Sequence, residues 1–204
     1  MKKILFFILL ANSLFAQKTE LKDGDLIFQN MDCGPLCDAI EAVTEGYNEN
    51  DFSHMGMVYH RNDTIFVIEA AGSAVRLTPL SEFSKNTNKS MYVGRLKKKY
   101  EKLIPQAVSF SLKQLGVPYD DFYVYNNNAY YCSELIYDAF KHANKGKPFF
   151  ELQPMTYKQP GTDEFFPAWV EYYKSINAAI PEGLPGCNPG GMSASDKLDI
   201  VGTL

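Results

Sequence analysis

"FSHMGMVYHRNDTIFVIEAAG", Phe52 to Gly72, decides the fold. Two apolar runs flank the polar stretch Arg61–Thr64, the pattern of a β-hairpin. Both faces of the hairpin are apolar, so it is expected to be buried on both sides. Two polar groups stand within it, His54 at the start and Glu69 near the end. A buried carboxylate needs a partner. A turn of two or four residues centred on Asn62-Asp63 sets His54 opposite Ala71 and Glu69 diagonally across from His54 on the same face. Diagonal neighbours are about 7–8 Å apart at the backbone, within reach of two long polar side chains. A three- or five-residue turn would send Glu69 to the other face.

Working outward, "LKDGDLIFQN" reads as a turn at Asp23-Gly24 and a first strand from Leu26 to Phe28. "CGPLCDAIEAVTEG" reads as a short helix with Pro35 in its first turn and Gly46 past its end. After the hairpin, "AVRLTPLSEFSKN" gives a short strand and a turn of helix begun at Pro79, and "SMYVGRLK" gives another strand. "IPQAVSFSLKQLG" is a helix with Pro105 in its first turn and Gly116 as its stop. A polar, aromatic loop, "VPYDDFYVYNNNAYY", leads into the helix "CSELIYDAFKHANKG". From Gly146 onward the chain is rich in Pro and Gly, with one helical island at "AWVEYYKSI", and is expected to wrap the domain. The expected class is α+β, a small antiparallel sheet flanked by helices.

Cys132 opens the helix after the aromatic loop. Leu135, Ile136, Ala139, Phe140 and Ala143 share one helical face, and Cys132 falls on that face in the first turn. The helix dipole and free N–H groups there favour a thiolate. Three roles stay open for this thiol: a disulfide partner, a core filler or a nucleophile. A nucleophilic cysteine needs a base, and the base needs an orienting partner. The chain has three histidines. His142 lies about 15 Å along the same helix, too far to serve. His54 and His60 remain, and the hairpin couples His54 to Glu69. Cys132, His54 and Glu69 thus form a candidate catalytic set. The Cys132 N–H would be one oxyanion donor. A second would come from the preceding loop or the "KDGD" turn, with Tyr119, Asp25, Tyr130 and Tyr131 as candidates.

The 204 residues suit a single domain, and 46% hydrophobic residues against 22% charged supply a core. "MKKILFFILLANSLFAQ" has the charged start, short apolar middle and small residues of a secretory signal, with cleavage expected after Ala16. Its apolar run is short for a membrane anchor. The expected protein is therefore residues 17–204, exported and periplasmic. The formal charge of −4 becomes two units more negative without Lys2 and Lys3. "RLKKKYEK" is a solvated helix start or loop by composition, so no nucleic-acid partner is expected. Export favours pairing of cysteines. Cys33 and Cys37 are read as a local disulfide or two free thiols, and Cys187 as the odd one out or their alternative partner. Two thiols without adjacent histidines fall short of a zinc site.

"GDLIF", "FSHMGMV", "VIEA", "LGVPYD" and "YYCSELIYDAF", in that order, resemble the YaeF/YiiX-type permuted papain-like amidases, circularly permuted relatives of the NlpC cysteine peptidases. The tail "NPGGMSASDKL" resembles them too. The histidine precedes the cysteine here, the reverse of ordinary papain-like enzymes. The resemblance carries the family's nucleophile, base and acid to Cys132, His54 and Glu69. It implies one permuted papain-like (NlpC-like) domain hydrolysing an amide bond, with no cofactor and no metal. The implied partner is a small-molecule, acyl-amide or peptide substrate, with transient contact to membrane lipid or cell wall. Two alternatives remain: an acyl-lipid hydrolase or acyltransferase using the same residues, and a non-catalytic NlpC-like binding module.

Overall fold

A computed structural model describes residues 19–204; the expected signal segment, 1–16, lies outside the described residues. In chain order the elements are β1 (Leu26–Gln29), α1 (Pro35–Glu41), β2 (His54–Arg61), β3 (Thr64–Ala71), β4 (Ala74–Pro79), α2 (Leu80–Phe83) and β5 (Tyr92–Leu96). There follow α3 (Ile104–Lys113), α4 (Cys132–Ala143), β6 (Gln153–Pro154), α5 (Pro167–Ser175), β7 (Pro185–Gly186), α6 (Pro189–Ser193) and β8 (Leu198–Thr203). Six strands make one antiparallel sheet in the order β4-β3-β2-β1-β5-β8. Helix and antiparallel sheet together give the expected α+β class.

The hairpin sets the frame. Asn62 and Asp63 both take positive φ, 47° and 58°, as a two-residue turn of the primed kind requires. Met57 then faces Ile68 and Arg61 faces Thr64, the even-turn register that brings His54 and Glu69 to one face. Burial on both faces holds only away from the turn: His54 to Val58 and Val67 to Ala70 are buried, whereas His60 and Arg61 are exposed. Turns cannot be covered as strand centres are, because their backbone groups need water. Gly56 lets β2 and β3 approach closely, since an added Cβ would collide with the Val67 side chain and lie 3.0 Å from the Ile68 carbonyl oxygen.

One sheet face packs against α4, through Leu135, Ile136, Ala139 and Phe140, and α3 packs on α4. Ile27, Val58, Val67, Val93 and Phe83 form the opposite core. The tail does wrap the domain, and α5 packs on α1 through Trp169, Tyr173 and Ala39. The tail does more than wrap, however: its last segment, β8, pairs with β5 and closes that edge of the sheet. Helix α1 also stops at Glu41, well before Gly46.

Candidate active site

His54 is placed by the sheet. Its strand begins beside Gln29 of β1, and the Ser53 hydroxyl accepts the Met31 N–H at 2.8 Å just before it. The ring is 6% exposed and tilts against Phe83, with ring centres 5.7 Å apart. Glu69 is fully buried on β3. Its Oε2 lies 2.5 Å from His54 Nε2, while its Oε1 accepts the Thr78 hydroxyl at 2.5 Å and Arg76 Nε at 3.0 Å. Thr78 and Arg76 are the residues that reading the chain in one dimension missed.

Electrostatics follow from these contacts. Burial disfavours the charged imidazolium, but the neighbouring Cys132 thiol and the bonded Glu69 carboxylate outweigh it and raise the His54 pKa to about 9. Burial also opposes the Glu69 carboxylate, yet His54, Thr78 and Arg76 pull its pKa down to about 2. The pair is therefore charged at neutral pH. With Nε2 held by Glu69, the other ring nitrogen is the one left for the thiol.

Cys132 is the first residue of α4 and 7% exposed. Tyr131 precedes it in an extended conformation and supplies no side-chain cap. Behind the helix start, the buried Ser133 hydroxyl donates to the Cys187 carbonyl at 2.9 Å, and Tyr131 Oη accepts the Cys187 N–H at 3.2 Å. The tail is thus tied to the first turn. Cys33 and Cys37 form the local disulfide, while Cys132 and Cys187 are thiols. Burial pushes the Cys187 thiol up to about 12, which leaves it inert as a nucleophile at neutral pH.

His54 and Cys132 open into a cleft of about 340 Å³. Leu36 and Ile40 of α1, with Met155, Tyr157 and Trp169 of the tail, give it an apolar wall. Tyr119, Tyr123 and Tyr131 line it as well. The Tyr119 and Tyr123 hydroxyls are 3.2 Å apart. Burial, and then Tyr123, raise the Tyr119 pKa, so its phenol is a neutral O–H donor. Asp120, another residue the sequence reading passed over, organises this loop: it accepts the Phe122 N–H at 2.9 Å, the Val124 N–H at 2.8 Å and Asn127 Nδ2 at 2.8 Å.

Two oxyanion candidates lie elsewhere. Asp25 is occupied by Arg95, whose Nε and Nη2 donate at 2.8 and 2.7 Å, and it does not line the cleft. Tyr130 also falls outside the cleft lining, and its phenol sits beside Asp138. Adjacent residues before a helix start point different ways, so only Tyr131 of that pair reaches the cleft.

The sequence matches the family of permuted papain-like amidase enzymes, YaeF/YiiX, C92 family, over residues 20–202. It is 30% identical over 148 residues to the uncharacterized protein YiiX of Escherichia coli strain K12, covering 70% of this chain and 69% of that one. The fold is similar to the crystal structure of the metalloprotein YiiX, DUF1105, from Escherichia coli O157:H7, with a TM-score of 0.71 and 24% identity over 90% of this chain and 97% of that one. Among the described residues no three His, Cys, Asp or Glu side chains are grouped to hold a metal ion. Match length and identity agree: the chain belongs to the permuted papain-like amidase family of the YaeF/YiiX type, peptidase family C92.

Proposed function

We propose that this chain is an exported cysteine hydrolase that cleaves an amide bond, with Cys132 as nucleophile, His54 as base and then acid, and Glu69 as orienter. The observation that carries this reading is the His54 ring, held at Nε2 by Glu69 and lining one apolar cleft with Cys132, the first residue of a helix. The ring's charge comes from the thiol proton, which passes to the imidazole nitrogen that Glu69 leaves free before substrate reacts, and the sulfur then attacks the carbonyl carbon as the thiolate. Positive charge on the ring and on the helix end stabilises the thiolate that forms. The tetrahedral oxyanion is met by the Cys132 N–H and the Tyr119 hydroxyl. His54 then gives its proton to the departing amine, leaving a thioester on Cys132. Water, deprotonated by His54, releases the acid and restores the thiol. Such a site fits an NlpC-like arrangement with the histidine strand ahead of the cysteine helix.

Export is part of the proposal. The leader-like start of the chain supports it, and so does the Cys33–Cys37 disulfide, a bond that persists in oxidising compartments.

The apolar wall favours a substrate with an apolar acyl group over a polar cell-wall peptide. Each buried methylene adds about 0.8 kcal/mol of binding. Hydrolysis of graded N-acyl amides, measured beside a cell-wall stem peptide, tests this. Efficiency is expected to climb with chain length until the cleft is full. A flat profile with fast stem-peptide cleavage would overturn the apolar preference, and no hydrolysis of either class would leave a binding module.

A further inference from the structure

Building on the amidase reading, we propose that Arg76 anchors a carboxylate on the amine side of the scissile bond, so that the substrate is an N-acyl amino acid rather than a neutral amide. The cleft's charge points this way. Among the described residues that line it, Arg76 alone is permanently charged and none is Asp or Glu. An apolar wall with one fixed cation suits a ligand that is apolar at one end and anionic at the other.

The arginine has donors to spare. Its Nε is bonded to Glu69 Oε1, which fixes the guanidinium plane. Among the described residues neither terminal Nη atom has a hydrogen-bond partner, and the side chain is 48% exposed. Supporting Glu69 needs one donor, and Thr78 already supplies another. A guanidinium carries a fork suited to a second, planar anion.

The place is also kept open. Gly72 lines the cleft, and a Cβ added there would sit 3.2 Å from Arg76 Nη1. With Ala70 and Ala71 it keeps the surroundings of the fork small. The side of the bond follows from the chemistry. His54 protonates the leaving amine, so the amine departs past the imidazole. Arg76 stands beyond that imidazole, linked to it through Glu69. An α-carboxylate on the departing amine is the anion that position would meet.

The test measures binding without turnover. The Cys132→Ala chain is titrated calorimetrically with N-octanoylglycine and with the neutral N-octanoylglycinamide. The acid is expected to bind at least tenfold more tightly. In Cys132→Ala/Arg76→Met, which keeps the stem and loses the fork, the ratio is expected to fall below about twofold. Equal binding in the protein that retains Arg76, a phosphate-bearing N-octanoyl phosphoethanolamine bound more tightly than the acid, or no binding of either glycine ligand overturns the proposal before any Arg76 variant is made. A preference that survives Arg76→Met overturns it too. Hydrolysis by the unmodified chain separates the two claims. Equal turnover of acid and amide sinks the anchor and keeps the amidase; selective binding of the acid without turnover of either keeps the anchor and sinks the amidase.

Discussion

His54 Nε2 and Glu69 Oε2 lie 2.5 Å apart across the β2–β3 hairpin, both buried. An ionised pair out of water is costly unless further hydrogen bonds satisfy it. Here they do: Thr78 and Arg76 take the second carboxylate oxygen, and the Cys132 thiol shares the cleft with the ring. The histidine is thereby fixed in orientation, with one nitrogen committed and one available.

Removing those supports is expected to grade the activity. His54→Ala should cost about 10²–10⁴ in turnover, the usual scale of general-base catalysis. Glu69→Gln should slow turnover at least tenfold while the fold persists, because the amide oxygen still accepts but carries no charge. Thr78→Val removes one hydrogen bond to a charged group, a loss of about 1.5–3 kcal/mol, and should weaken activity less than Glu69→Gln does. Steady-state kinetics with circular dichroism as the folding check measure all three. Unfolding of Glu69→Gln would mark Glu69 as a structural acid.

The same pair should shape stability against pH. His54 rises from its ordinary 6.5 to about 9, so its contribution is complete below pH 6.5 and is lost as pH climbs through 9. Glu69 falls from 4.5 to about 2, so its contribution is complete above pH 4.5 and is lost as pH drops through 2. The Tm difference between the unmodified chain and Glu69→Gln should therefore be largest between pH 4.5 and 6.5 and shrink on both sides. A difference flat from pH 3 to 9 would contradict the charged pair.

Much of this was legible in the chain because the hairpin announces itself. Asn62-Asp63 between two apolar runs marks a hairpin but leaves its turn length open; the structure has the even turn, whose register brings Glu69 to His54. Helix α4 was legible from its apolar spacing. Arg76 and Thr78 were not, although the signal existed: Gly72-Ser73 makes a second two-residue turn, with Ala71 facing Ala74, and so sets Arg76 opposite Glu69. Strand β8 was hidden by its setting, a short edge strand after a Pro- and Gly-rich stretch that reads as loop. Asp25 misled because its partner, Arg95, is distant in sequence and becomes a neighbour only when β5 pairs with β1.

Gly56 offers a direct check of the hairpin's close packing. Gly56→Ala pushes a methyl group into Val67 and the Ile68 carbonyl, where backbone cannot easily yield. Overpacking of this kind costs about 1–3 kcal/mol. Urea denaturation should show a lower midpoint, with activity lost through displacement of His54 two residues away. An unchanged midpoint would contradict the packing described.

Glu134, two residues after Cys132, is fully buried; one oxygen accepts the Asn126 N–H at 2.9 Å and the other has no partner among the described residues. Burial pushes its carboxyl up to about 8, with Asp120 and Asp138 adding like charge. A raised acid stabilises below its ordinary 4.5 and loses that contribution as pH rises through 8. The Tm of the unmodified chain relative to Glu134→Gln should decline from pH 5 to 8. A relative Tm that rises over that range would contradict the assignment.

Turnover by this mechanism passes through a covalent acyl group on Cys132. The most direct measurement is acid quenching of the chain during turnover of an activated acyl amide or thiol-reactive acyl probe, followed by peptide mapping under non-reducing conditions. Acyl mass is expected on the peptide carrying Cys132, none on Cys187, and no label in His54→Ala on the same timescale. A Cys132 found bridged to another cysteine in active protein, or an acyl group carried elsewhere, would contradict it.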